Sequence, residues 1–182
     1  MKRAFSLLLA ALLALTACGA LAEAGQTFSN DYYTLTVPAD WVIDTSGANE
    51  DEDFRTLGNL YSPDDPGLVI ETGLVHYADL SDISLWDADE ETMQNYIDAL
   101  LEELGDDKPE YVSTLKVGQI PFLVFRAESE NGPYYYIDTM TNGYVVVFYA
   151  YNAGTDGDAL LPMSDDDWAQ VEAILTTFKP AG

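Results

Sequence analysis

The chain reads as an α/β protein of the α+β type: a central, mainly antiparallel sheet flanked by helices in an α/β/α sandwich. Three observations predict it. Two β-type runs, Tyr134–Thr141 and Tyr144–Tyr151, flank Asn142-Gly143, the strongest short-range hairpin signal, because a type I′ turn needs positive φ at both central residues. Centred on that turn, Thr141, Thr139, Ile137 and Tyr135 fall opposite Tyr144, Val146, Phe148 and Ala150, while the other face carries Met140, Asp138, Tyr136 and Tyr134 against Val145, Val147, Tyr149 and Tyr151. Both faces are mostly apolar or aromatic, whereas a sheet open to water on one side alternates with polar residues, so the hairpin must be covered twice. Two amphipathic helical stripes supply the covers.

The elements follow in order. Tyr32–Val37 is a β-type run, Pro38-Ala39-Asp40 breaks it, and Trp41-Val42-Ile43 restarts it. Ser46–Asp53 is polar and acidic without an apolar period and reads as a loop. Arg55–Tyr61 and Leu68–Tyr77 form a strand pair around Ser62–Gly67, whose two prolines and glycine are turn chemistry. Met93, Tyr96, Ile97, Leu100, Leu101 and Leu104 recur at helical spacing and predict a helix over 89–104. Its first-turn acids suit the helix dipole, and Gly105 is the expected stop. Tyr111–Val117 and Ile120–Glu128 flank Gly118-Gln119 as another hairpin. A last helix is expected over 165–178, with Ser164–Asp167 as a capping box and Trp168, Val171, Ile174, Leu175 and Phe178 as its buried stripe.

The start of the chain has a different job. Lys2 and Arg3 precede a run from Ala4 to Ala14 that is apolar apart from Ser6 and too short for a permanent span of about 20 residues. Leu15-Thr16-Ala17-Cys18 then resembles the bacterial lipobox, in which the cysteine thiol is acylated and becomes the new N-terminus. Ordinary secretion is the other reading, because Ala20-Leu21-Ala22 fits the A-x-A rule. The position of the single cysteine, at the end of the apolar run, favours the lipoprotein. The expected division is therefore 1–22 as signal peptide, lipobox and start of the tether, and 23–182 as one globular domain, with Gly19–Thr27 as a small, polar tether. The location is extracytoplasmic, on the cell membrane through Cys18, or secreted if cleavage falls later.

Charge narrows the partners. The 182 residues hold 32 acidic and 7 basic side chains, a formal charge of −25, and loss of Lys2 and Arg3 leaves −27. A nucleic-acid partner is excluded, since phosphate binding needs a basic face. An anionic lipid surface repels such a domain, so membrane attachment falls to the anchor. A cationic ligand or a basic protein partner is the electrostatically compatible kind.

The segment Tyr32–Trp41 (YYTLTVPADW) resembles the opening of the PsbP-like superfamily, and Val171–Phe178 (VEAILTTF) resembles its last helix. The superfamily includes many bacterial lipoproteins of unknown function. The resemblance implies an antiparallel sheet between helices over about Phe28 to Pro180 and an accessory or binding role. It implies no catalytic residues, and the acidity here departs from the basic docking surfaces of some members.

Little in the residues points to catalysis. His76 is the only histidine, on the same strand face as Leu68, Ile70, Thr72 and Leu74, and is expected to be half-buried and hydrogen-bonded. No H-E-x-x-H, G-x-S-x-G, P-loop or G-x-G-x-x-G pattern occurs, so neither metal nor cofactor is expected. The loop Asn152–Asp158 resembles a calcium loop only in part: Gly154 replaces an oxygen donor and Met163 stands where a bidentate Glu belongs. Glu50–Asp53 is acid crowding without ligand spacing. One constellation stands out. Asp138 lies mid-strand with Tyr136 on its face and Tyr149 opposite Tyr136, an acid among aromatics that could hold a cation by charge and cation–π contact. The plainer reading is an Asp at a sheet margin bonded to a Tyr hydroxyl or to water. The expected function is a non-enzymatic binding or accessory lipoprotein. The alternatives are a secreted or anchored acid-based hydrolase, recognised by carboxyls about 5–9.5 Å apart, and a calcium- or cation-responsive module.

Overall fold

A computed structural model describes residues 25–49, 54–63, 67–154 and 159–181. Cys18 with the whole export segment, Glu50–Asp53 and Thr155–Asp158 lie outside the described residues. The strands are β1 (Gln26–Ser29), β2 (Tyr33–Val37), β3 (Val42–Asp44), β4 (Phe54–Tyr61), β5 (Gly67–His76), β6 (Glu110–Val117), β7 (Ile120–Ser129), β8 (Gly132–Thr141), β9 (Tyr144–Ala153), β10 (Leu160–Leu161) and β11 (Lys179–Pro180). The helices are α1 (Glu90–Glu103) and α2 (Asp165–Leu175).

The large sheet has the order β3-β4-β5-β9-β8-β7-β6, with β10 paired to β9 past the end of β8. Every pairing is antiparallel. The β8–β9 hairpin has the register that the turn dictates: Thr141, Thr139, Ile137 and Tyr135 face Tyr144, Val146, Phe148 and Ala150. Asn142 and Gly143 sit at φ 52° and 76°, the two left-handed residues of a type I′ turn.

The sheet is covered on both faces, one helix to each. On one face Ile70, Phe122, Ile137 and Phe148 pack with Val171, Ile174 and Leu175 of α2. On the other, Leu123, Phe125, Tyr136 and Val147 pack with Ile97 and Leu100 of α1. The fold is nonetheless richer in β-structure than a plain sandwich. The α2 face is shared with a second, three-stranded sheet, β1-β2-β11, which contributes Phe28, Tyr33 and Leu35.

Two of those strands correct the sequence reading. Gln26 and Thr27, expected in the tether, belong to β1 and pair with Val37 and Thr36. The Gln26 carboxamide donates to the backbone oxygens of Pro38 and Trp41, closing the β2–β3 corner. A side-chain contact so remote in sequence leaves no local period to read. The last helix also ends at Leu175 rather than 178. The Thr177 hydroxyl donates to Ile174 O and accepts from Thr36 N at 2.7 Å, which turns the chain into β11 while Phe178 stays buried. Gly105 does not take a left-handed stop either. It starts a 3₁₀ turn, and Lys108 adopts the positive φ, 48°.

Pairing of β7 with β8 stops at Leu123–Asp138, short of the β8 end. The turn Leu85–Asp87 and its cap Ser84 fill the opening. Ser84 bridges Thr141, Leu85 enters the core under α1, and Trp86 packs on the α2 side with its indole N–H on Thr139 Oγ1 at 3.1 Å.

The hairpin turn offers a direct test. A Cβ on Gly143 would stand 2.4 Å from Tyr77 O, at a φ that L-residues rarely adopt. Gly143→Ala is expected to lower unfolding stability by about 1–3 kcal/mol in urea denaturation. An unchanged midpoint would refute the close approach of this turn to Tyr77.

Candidate functional site

Pairing places Asp138 opposite Val147 and Tyr136 opposite Tyr149, on the face under α1. The structure thus brings together the three residues that the sequence singled out. Tyr136 and Tyr149 meet edge to face at 5.4 Å, and Tyr136 also meets Phe125 edge to face at 6.2 Å. Asp138 has no exposed surface, Tyr136 is buried and Tyr149 reaches solvent in part.

Asp138 is a central residue of the sheet, not a marginal one. Its Oδ2 accepts a hydrogen bond of 2.6 Å from the Tyr96 hydroxyl, which descends from α1, while Oδ1 has no partner among the described residues. Sequence reasoning counted Tyr96 as part of the apolar stripe and missed this role. The signal was available: a buried carboxyl needs a donor, and the stripe of α1 carries Tyr96 and no cationic side chain.

The electrostatics follow from burial. Desolvation raises the Asp138 carboxyl to about 7, the Tyr96 bond pulls it down, and the Glu103 charge pushes it up. Burial and the nearby carboxylate hold Tyr96 and Tyr136 well above the ordinary phenol range. Burial, with Glu71 next in weight, pushes Tyr149 up to about 12.

The same pairing recurs on this face. Tyr134 donates to Asp107 Oδ2 at 2.6 Å, and Tyr151 donates to Glu71 Oε1 at 2.5 Å. Among the described residues one ion pair occurs, Arg126 with Glu110 at the surface. Tyrosine hydroxyls do for these acids what cations do in a balanced chain. Chemically, the arrangement offers a closed carboxyl beneath Tyr96, and beside it a half-exposed row of Tyr149, Tyr151 and Glu71.

The other candidates fall elsewhere. His76 is exposed at the end of β5 and stacks on Tyr144 at 4.3 Å, not half-buried as expected, because the last residue of the strand has passed the covering layer. Asn152 donates to Asp167 Oδ2 at 2.9 Å, and Asp167 closes the capping box with Ser164, so this member of the calcium-like loop serves α2. No group of three or more metal-ligating side chains occurs among the described residues, and no helix among them is long and apolar enough to cross a membrane.

No protein-family model and no curated protein matches the chain. Among solved structures it is similar to cyanobacterial PsbP (CyanoP) from Synechocystis sp. PCC 6803, at a TM-score of 0.49 and 14% identity over 86% of this chain and 92% of that one. It is also similar to a crystal structure from Bacteroides thetaiotaomicron, at a TM-score of 0.46 and 15% identity over 87% of this chain and 49% of that one.

The raised carboxyl sets a pH dependence. Folded Asp138 keeps its proton between the ordinary value of 3.8 and about 7, where the unfolded chain has lost it. Its contribution is complete below the lower value and is lost as pH rises through the upper one. Relative to Asp138→Asn, the parent chain is expected to lose a few kcal/mol between about pH 4 and about pH 8 in urea unfolding. Parallel pH profiles for the two chains would refute the assignment.

Proposed function

We propose that the chain is an extracytoplasmic lipoprotein, held at the cell membrane through Cys18, whose domain binds a ligand or partner rather than catalysing a reaction. The observation that carries the reading is the placement of the single cysteine at the end of the apolar run, in Leu15-Thr16-Ala17-Cys18. Two acyl chains there, at about 0.8 kcal/mol per buried methylene, would hold a domain that its own charge drives off anionic lipid. The non-catalytic half of the reading is supported by Asp138, whose carboxyl is closed off from solvent and committed to Tyr96. The half-exposed Tyr149, Tyr151 and Glu71 favour a cationic ligand or a basic protein face, with the aromatic rings contributing cation–π attraction.

The anchor is tested by expressing the full chain in a bacterial host. Mass spectrometry of the mature N-terminus should find Cys18 acylated, and Cys18→Ala should move the protein from the detergent phase to the aqueous phase. A mature chain starting after Ala22 would refute the anchor. The binding face is tested by titration with tetramethylammonium: Tyr149→Ala is expected to weaken binding about two- to fivefold. Equal binding by parent and variant would remove Tyr149 from the site.

A further inference from the structure

On the opposite face from Asp138, the two sheets part to leave a cavity of about 390 Å³, within the range of small-molecule sites. It lies beside the Asn142-Gly143 turn, between the ends of β5, β8 and β9 and the strands β2 and β11. Leu74, Val146 and Phe178 make its apolar floor, and the rings of Tyr32, Trp86 and Tyr144 make its walls.

Each wall is braced by a partner outside the stack. The Trp86 N–H is held by Thr139 Oγ1 at 3.1 Å, the Tyr32 hydroxyl accepts from Arg55 Nη1 at 2.8 Å, and Tyr144 lies against His76 at 4.3 Å with an interplanar angle of 20°. The rings of Tyr32 and Tyr144 pack against each other, tilted, with centroids 5.9 Å apart. Three rings are therefore fixed before any ligand arrives, which removes part of the ordering cost of binding.

We propose that this cavity is a binding site for a small, uncharged aromatic compound. Among the described residues no charged side chain lines it, and Arg55 beside it is engaged by the Tyr32 hydroxyl, so the lining itself offers no counter-charge to an ionic ligand. Aromatic walls favour stacked or edge-on rings. A sugar is the poorer fit, because each of its hydroxyls needs a polar partner. The hydroxyls of Thr139 and Thr141 already accept from Trp86 and Ser84, which leaves, among the described residues, only the Asn142 carboxamide and the Tyr144 hydroxyl as unengaged polar side-chain groups of the lining. The site stands independently of the tether and of the Tyr149 face.

The test is a titration of the folded domain with 2-naphthol, followed by ligand-observed saturation-transfer NMR, beside its anionic analogue 2-naphthoate and methyl glucoside. 2-Naphthol is expected to bind saturably and more tightly than either. Tyr144→Ala, at a side chain already 38% exposed, should weaken it about tenfold, and Trp86→Leu at least as much. Asp138→Asn should leave it unchanged. The proposal is overturned by an absence of saturable 2-naphthol binding, by equal affinity in Tyr144→Ala, by a preference for 2-naphthoate or methyl glucoside, or by loss of binding in Asp138→Asn alone.

Discussion

The bond from Tyr96 to Asp138 is the constraint around which one half of the molecule is arranged. A carboxyl in the middle of a sheet, fully enclosed, must be neutral or satisfied, and in this chain cations are scarce. A phenol on the covering helix meets the requirement without bringing a second charge into the core, where a desolvated ion pair is a poor source of stability. The contact also locates α1. The helix carries few apolar anchors that are fully buried, so a polar bond at a defined point on β8 sets its position along the sheet. Tyr134 with Asp107 and Tyr151 with Glu71 extend the same solution toward the surface.

The other half depends on pairing at long sequence distance. The second sheet joins residues near position 26 to residues near position 180 through the shared strand β2. Its inner side chains, with those of α2, close the core over β5, β8 and β9. The two layers therefore differ in kind: a helix pinned by a polar bond on one face, a helix and small sheet held by apolar contact on the other.

What was legible in the sequence was whatever rests on local period or turn chemistry. The Asn142-Gly143 turn set the register of β8 on β9, and with it the meeting of Tyr136, Asp138 and Tyr149. The double-sided apolar pattern required two covers, and α1 and α2 are those covers. Ser164 and Asp167 announced their helix start through side-chain capping, whereas Asp89, read as a first-turn acid, is the N-cap of α1. What escaped depends on contact between remote segments. β1 and β11 are short, and their partners lie far away in sequence, so neither shows a period of its own. The donor to Asp138 was hidden because Tyr96 fits an apolar stripe as well as a polar role. Trp86 sits in an irregular stretch whose position is set by the gap between β7 and β8, which no local pattern encodes.

That gap has a mechanical consequence. Ser84–Asp87 passes through the sheet plane, with Leu85 among the α1 contacts and Trp86 among the α2 contacts. One short turn thus acts as a rivet through the laminate. The two side chains hang on one stretch of backbone, so a shift of that main chain moves the indole in one compartment and the leucine in the other.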